Sequence, residues 1–145
     1  MVKLKTLLFI LFFTIGIQES HSQVYKFKTT GFSVLEKDNK GNWGKWSDLA
    51  NVNIIVTLDT NKNRIIVYSQ EIQFYEIISY QPKEETETDL IYPFTCKDID
   101  GEEFTISIIT RKNQNNRKQL YINQKNVIIV YNIENVLEKA DKDKI

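Results

Sequence analysis

Asp59-x-Asn61-x-Asn63 sets three oxygen-bearing side chains at alternate positions, the spacing with which a calcium-binding loop begins. The match stops there. Such a loop needs glycine at its sixth position and a bidentate glutamate at its twelfth, where this chain has Arg64 and Gln70. A polar turn between two strands accounts for the same residues, because Asp and Asn hydrogen-bond their own backbone and tolerate turn conformations. Asp59, Asn61 and Asn63 are therefore metal candidates of second rank, and no cofactor is expected. Asp98, Asp100 and Glu103 surround Gly101 in another turn and carry the same two readings, a loosely held cation or the ordinary acids of a hairpin. Glycoside hydrolysis needs only a pair of carboxylates, but nearly all the acids of this chain fall in turns. Glu76 is the exception, sharing strand parity with Phe74 and Ile78. It faces solvent if Tyr75 and Ile77 face the core; inside, it would need a cation such as Lys26, Arg64 or Arg111. The outward orientation is preferred.

Other chemistries are excluded more firmly. His21 is the only histidine, and it lies in a leader expected to be removed, so the remaining chain has no imidazole. That excludes Ser-His-Asp and Cys-His nucleophilic sites and every His-ligated zinc or iron site. Cys96 is the only cysteine and alternates in phase with Tyr92 and Phe94, which makes it a small apolar strand residue rather than an activated thiol. There is no Gly-rich phosphate loop and no nucleophile elbow, so no catalytic residue is assigned and the chain is read as a non-enzyme. Trp43 and Trp46, three apart around Gly44, are the most distinctive local feature. Covering an open end of a barrel or sandwich is their first reading. A stacking surface for a planar ligand, or a contact surface for a partner, is the functional one.

Lys3 and Lys5 precede an apolar run over residues 7–17, and a polar stretch follows to Ser22. This is the pattern of a secretory signal peptide, with cleavage expected between Ser22 and Gln23. The run is shorter than the roughly 20 apolar residues of a membrane-spanning helix, so no transmembrane segment is expected after cleavage. Residues 1–22 are thus expected to be removed, leaving residues 23–145 as a single β domain in the periplasm or outside the cell. Loss of Lys3, Lys5 and Glu19 leaves 17 basic and 18 acidic residues, a net charge of −1. With no basic block, nucleic acid is not an expected partner. One cysteine allows no internal disulfide, so the apolar core must carry the stability.

The elements that position these residues are strands. Tyr25 and Phe27 alternate on one face, whereas Phe32 and Val34 have the opposite parity, and a β-bulge at Gly31 restores all four to one side. Val52, Ile54, Val56 and Leu58 form the next inward set, and residues 64–68 return after the Asp59–Asn63 turn, apolar on both faces, which suggests a strand covered on both sides or crossing the thick part of the core. Residues 64–81 are too many for one strand, which requires a second bend at residues 69–71. Residues 81–89 read as an exposed acidic loop. Pro93 marks the following strand as an edge or bulged strand, and Asp100-Gly101 reads as a type I′ hairpin turn. Phe104, Ile106 and Ile108, then Leu120 and Ile122, then residues 127–131 supply the remaining strands. Ile133, Val136, Leu137 and Ala140 fall at helical spacing behind Asn132, which predicts a short C-terminal helix. The expected architecture is all-β: an antiparallel meander of about eight strands closing into a small barrel or two-layer sandwich, with that helix at its end.

The leader ending Ser20-His21-Ser22-Gln23 and the Lys-, Asn- and Ile-rich body resemble the short exported proteins of AT-rich Gram-negative bacteria. That resemblance implies export and brings no activity. The strand count is similar to that of calycin-type (lipocalin-like) barrels, and Gly41-Asn42-Trp43 loosely echoes their Gly-x-Trp signature. Here it follows the first long strand and sits in a turn, so the likeness is one of fold alone. Two functions remain. Inward faces rich in Ile, Val, Leu and Phe favour a filled core, hence a non-catalytic exported protein that binds another envelope or secreted protein. The alternative is a lipocalin-like carrier of a small apolar or aromatic ligand, with the tryptophans at the barrel mouth.

Overall fold

Ten strands follow one another through residues 23–136, the part of the 145-residue chain that the computed structural model describes. They are β1 (Val24–Glu36), β2 (Ala50–Asn51), β3 (Ile55–Asp59), β4 (Arg64–Val67), β5 (Gln73–Tyr80), β6 (Glu84–Glu85), β7 (Asp89–Lys97), β8 (Glu103–Arg111), β9 (Arg117–Asn123) and β10 (Val127–Asn135). All pairings are antiparallel. The ring runs β1, β3, β4, β5, β7, β8, β9, β10 and back to β1, so eight strands close into a barrel rather than a sandwich. Closure removes the exposed edges that an open meander would leave. The two-residue strands extend the wall, β2 along β1 beyond the end of β3 and β6 along β7. The expected leader lies outside the described residues.

Strand parity builds the core. Phe27, Val56, Val67, Cys96, Ile106, Ile122 and Tyr131 come from seven strands, all face inward, and all are buried. Register joins them: Phe27 opposes Val56, Val56 opposes Val67, Cys96 opposes Phe104, and Ile106 opposes Ile122. The bulge expected near Gly31 is present, since the β1–β10 register shifts between Thr29 and Gly31. Phe32 can therefore lie against Tyr131, ring centroids 6.1 Å apart, on the face that Phe27 also occupies. Glycine suits the spot because a Cβ there would stand 3.2 Å from the Ala50 carbonyl oxygen. A second bulge, unannounced by the alternation, shifts the β5–β7 register between Ile77 and Ser79. It turns Tyr80 toward Phe94, edge to face at 5.7 Å.

Residues 37–49 cross no core. They double back along β1, Gly44 N–H donating to the Glu36 carbonyl at 2.8 Å and Ser47 N–H to that of Val34 at 2.8 Å. Thr29, buried at the bulge, fastens the irregular link into β3: its hydroxyl donates to the Val52 carbonyl at 3.2 Å and accepts from Ile54 N–H at 3.0 Å.

Four local expectations need correction. Asn132 to Asn135 do not begin a helix; they complete β10, with Ile133 opposite Thr29 on β1 and Lys118 on β9. A helix there would leave the first half of β1 without the partner that closes the barrel. Leu137 and Ala140, the rest of the expected helix, lie outside the described residues. β7 is no edge strand, being paired with β8 along its length and with β5 over its second half. Pro93 is tolerated because its carbonyl accepts from Gln81 N–H at 3.0 Å, where the β5 ladder has ended and no donor is needed. Asp100-Gly101 is not type I′, since only Gly101 has positive φ (84°), and Gly101 N–H donates to the Asp98 carbonyl. This turn plus a glycine bulge recurs at Asp38–Gly41, where Gly41 has φ 81°. In both, the aspartate Oδ1 accepts two backbone N–H groups. Positive φ at two successive central residues, the type I′ requirement, occurs instead at Asn115 and Asn116. Finally, β4 is covered on its inner face only, and Tyr68 just beyond it is 44% exposed.

Candidate functional site

The core does not fill the barrel from end to end. The end at which β1, β4, β7 and β9 begin opens into a bowl of about 650 Å³. Phe27, Leu58, Phe94 and Ile108, all members of the packed core, form its floor. Tyr25, Tyr80 and Tyr92 rise as its walls, each between 43% and 47% exposed. Thr60, Thr110, Lys118 and Asn135 add polar groups. The opening follows from the side chains sent inward at this level. They are tyrosines, whose hydroxyls stay polar while their rings pack, with two threonines, a lysine and an asparagine in place of aliphatic residues.

Hydrogen bonds hold two of the walls. The Tyr80 hydroxyl donates to Asn63 Oδ1 at 2.7 Å, and the Tyr25 hydroxyl donates to Gln23 Oε1. Burial, then the nearby Cys96 and Asp59, push the Tyr80 phenol above its ordinary pKa, so it stays a neutral donor at physiological pH. At the far end, polar side chains are tied off internally. Gln73 Nε2 donates to Ser69 Oγ at 3.0 Å and to the Tyr131 hydroxyl at 3.1 Å, while Tyr75 donates to Gln73 Oε1 at 2.7 Å. Burial raises the Tyr75 phenol strongly, as suits a hydroxyl inside a closed network.

The tryptophans are not at this mouth. Trp43 bridges Lys37, just past the end of β1, whereas the bowl surrounds the start of β1. Both indoles are nearly half exposed, and the Lys37 ammonium sits 4.8 Å from the Trp43 ring centroid, a cation–π contact. In the calcium-like turn two of the three candidates are engaged: Asp59 Oδ1 accepts from Asn61 N–H and Lys62 N–H, both at 3.0 Å, and Asn63 Oδ1 accepts from the Tyr80 hydroxyl. Asn61 is exposed at the tip of that turn. Among the described residues no three His, Cys, Asp or Glu side chains converge as a metal site, and no helix is long and apolar enough to cross a membrane. Glu76 faces outward, as preferred from the sequence, and its partner is Lys97 at 3.5 Å.

Cys96 is fully buried, and burial pushes its thiol up to about 12. A thiol reagent at pH 8 is expected to label it only after denaturant unfolds the barrel; labelling of the native protein at the free-thiol rate would contradict this burial. The unfolded thiol ionises near 9.0, well before the folded one. The unfolded state therefore loses its proton first, and stability falls as the pH rises above about 9.

The residues that line the bowl were not singled out from the sequence. Lys118 had a local signal, since it shares parity with Leu120 and Ile122, an ammonium on an otherwise apolar face. The others come from β1, β3, β5, β7, β8 and β10 and meet only in the barrel. Compared with family models, curated proteins and solved structures, the chain shows no significant match in any of the three.

Proposed function

We propose that this protein is an exported, non-catalytic binding module that holds a small apolar or aromatic ligand in the barrel-mouth bowl. The observation that carries this reading is the change of lining along the barrel axis, from packed aliphatic core to an open, aromatic-walled cavity of about 650 Å³. That volume lies in the range of small-molecule sites, and an apolar floor with a few polar groups is their usual make-up. Export rests on the charged and apolar pattern of residues 1–22. The lipocalin-like comparison is one of barrel closure, with the site at the end away from the tryptophans.

Calorimetric titration with 4-phenylbutanol tests the bowl. Thr110 stands in its wall, half-buried, so Thr110→Trp places an indole where the ligand would lie. Binding is expected to weaken by about tenfold or more, roughly 1.4 kcal/mol, with the melting temperature little changed. Equal binding by both proteins would place the ligand elsewhere.

A second reading, contact with another envelope or secreted protein, is supported by the outer wall. Tyr68, Ile72, Phe74 and Ile78 leave apolar surface exposed on and beside β4 and β5. Capture of a defined partner from the envelope or medium, lost on Phe74→Lys, would favour it over the bowl.

A further inference from the structure

We infer that the bowl selects ligands carrying an anionic group, a carboxylate on an apolar or aromatic body, with Lys118 as the residue that receives the charge. This deepens the ligand-binding reading and rests on it. Lys118 leaves β9 on the inward face, in line with Leu120 and Ile122, which are 1% and 0% exposed. Its register neighbours are Thr110 on β8 and Ile133 on β10. Lys118 is half-buried and lines the bowl from its inner wall. Among the described residues its one polar contact is neutral and long, Asn135 Oδ1 at 3.5 Å.

Among the described residues the surroundings supply no counter-charge: no aspartate or glutamate of theirs lines the bowl, while Lys26 at its rim adds a second cation. The acids nearest in the fold are committed elsewhere: Glu134 pairs with Lys28 at 3.4 Å, Asp89 pairs with Arg111 at 3.1 Å, and Asp59 caps its own turn. An ammonium beside apolar rings gains from an anion that brings its own tail to cover those rings, and a cationic ligand would meet repulsion. The three tyrosines and two phenylalanines suit an aromatic or short aliphatic body.

The test pairs two probes of one shape, 4-phenylbutyrate and 4-phenylbutanol, titrated into the chain from residue 23 onward. The acid is expected to bind the wild type about five- to tenfold more tightly than the alcohol, a charge-assisted hydrogen bond in a half-open site. Lys118→Met is expected to erase that preference and leave the alcohol within about twofold, and Lys118→Gln serves as a second neutral replacement should the methionine variant misfold. Lys26→Gln is expected to keep the preference. Equal binding of acid and alcohol to the wild type, or a preference that survives both Lys118 replacements or vanishes with Lys26, overturns the inference while leaving the bowl as a ligand site. Failure of both probes to bind the wild type overturns the ligand-binding reading itself.

Discussion

Replacing Ile106 by alanine is expected to lower unfolding stability by about 2–5 kcal/mol, the cost of a buried large-to-small change that leaves a cavity. Ile106 is fully buried in β8, with Phe94 on one neighbouring strand and Ile122 on the other. Each side of its strand is held by a continuous antiparallel ladder, and those ladders belong to a ring that closes through β1 and β10. The wall cannot move inward at one residue without disturbing register around the circle, so the lost methyl groups leave space rather than being replaced. Urea denaturation should show the midpoint falling with an unchanged slope. Ile78→Ala is the matched control: the side chain is 46% exposed at the β5 bulge, and a change of at most about 0.5 kcal/mol is expected. A small loss at Ile106 would mean that this level of the barrel is not packed.

Arg111→Met is expected to cost about 1–3 kcal/mol, although the residue lies on the outer wall and far from the core centre. Its guanidinium reaches Asp89 Oδ1 at 3.1 Å, Gln119 Oε1 at 3.2 Å and the Tyr121 hydroxyl at 3.1 Å. Gln119 passes the chain on to Asn132 Oδ1 at 3.0 Å. One arginine therefore links side chains on β7, β8, β9 and β10. Both charged side chains of the pair are about three-quarters buried, at 24% and 23% exposure, which places them above an ordinary surface ion pair in worth. Partial burial disfavours the charged guanidinium, but the hydrogen bonds to Asp89 and Tyr121 outweigh it and hold its pKa above the ordinary value. Methionine fills similar volume yet leaves Asp89 unpaired and the buried Gln119 short of a donor. Arg111→Lys should recover only part of the loss, because an ammonium cannot serve three acceptors set around a planar fork. Thermal melts of the three proteins check the order wild type, lysine, methionine.

Strand alternation is a local property with a period of two, and it was legible residue by residue. Phe104, Ile106 and Ile108 announced β8, the phase change between Phe27 and Phe32 announced the bulge at Gly31, and the length of residues 64–81 required the bend before Gln73. The absence of histidine beyond His21 is likewise a fact of composition that no folding alters. The end of β10 was not legible. Ile133 and Val136 fit helical spacing as well as a strand, and the deciding partner, Thr29, lies about a hundred residues away. The β5 bulge and the place of Pro93 depend in the same way on where a neighbouring ladder stops. The bowl is the fullest case. Tyr25, Tyr80, Tyr92, Lys118 and Asn135 have no common spacing in the chain and stand around one cavity only because β1, β5, β7, β9 and β10 are rings of the same wall. Which face of a strand is apolar was decided by the sequence. Which apolar faces meet, how far they fill the barrel and where they leave it open were decided by closure, since register between distant strands is a long-range quantity that local pattern does not encode.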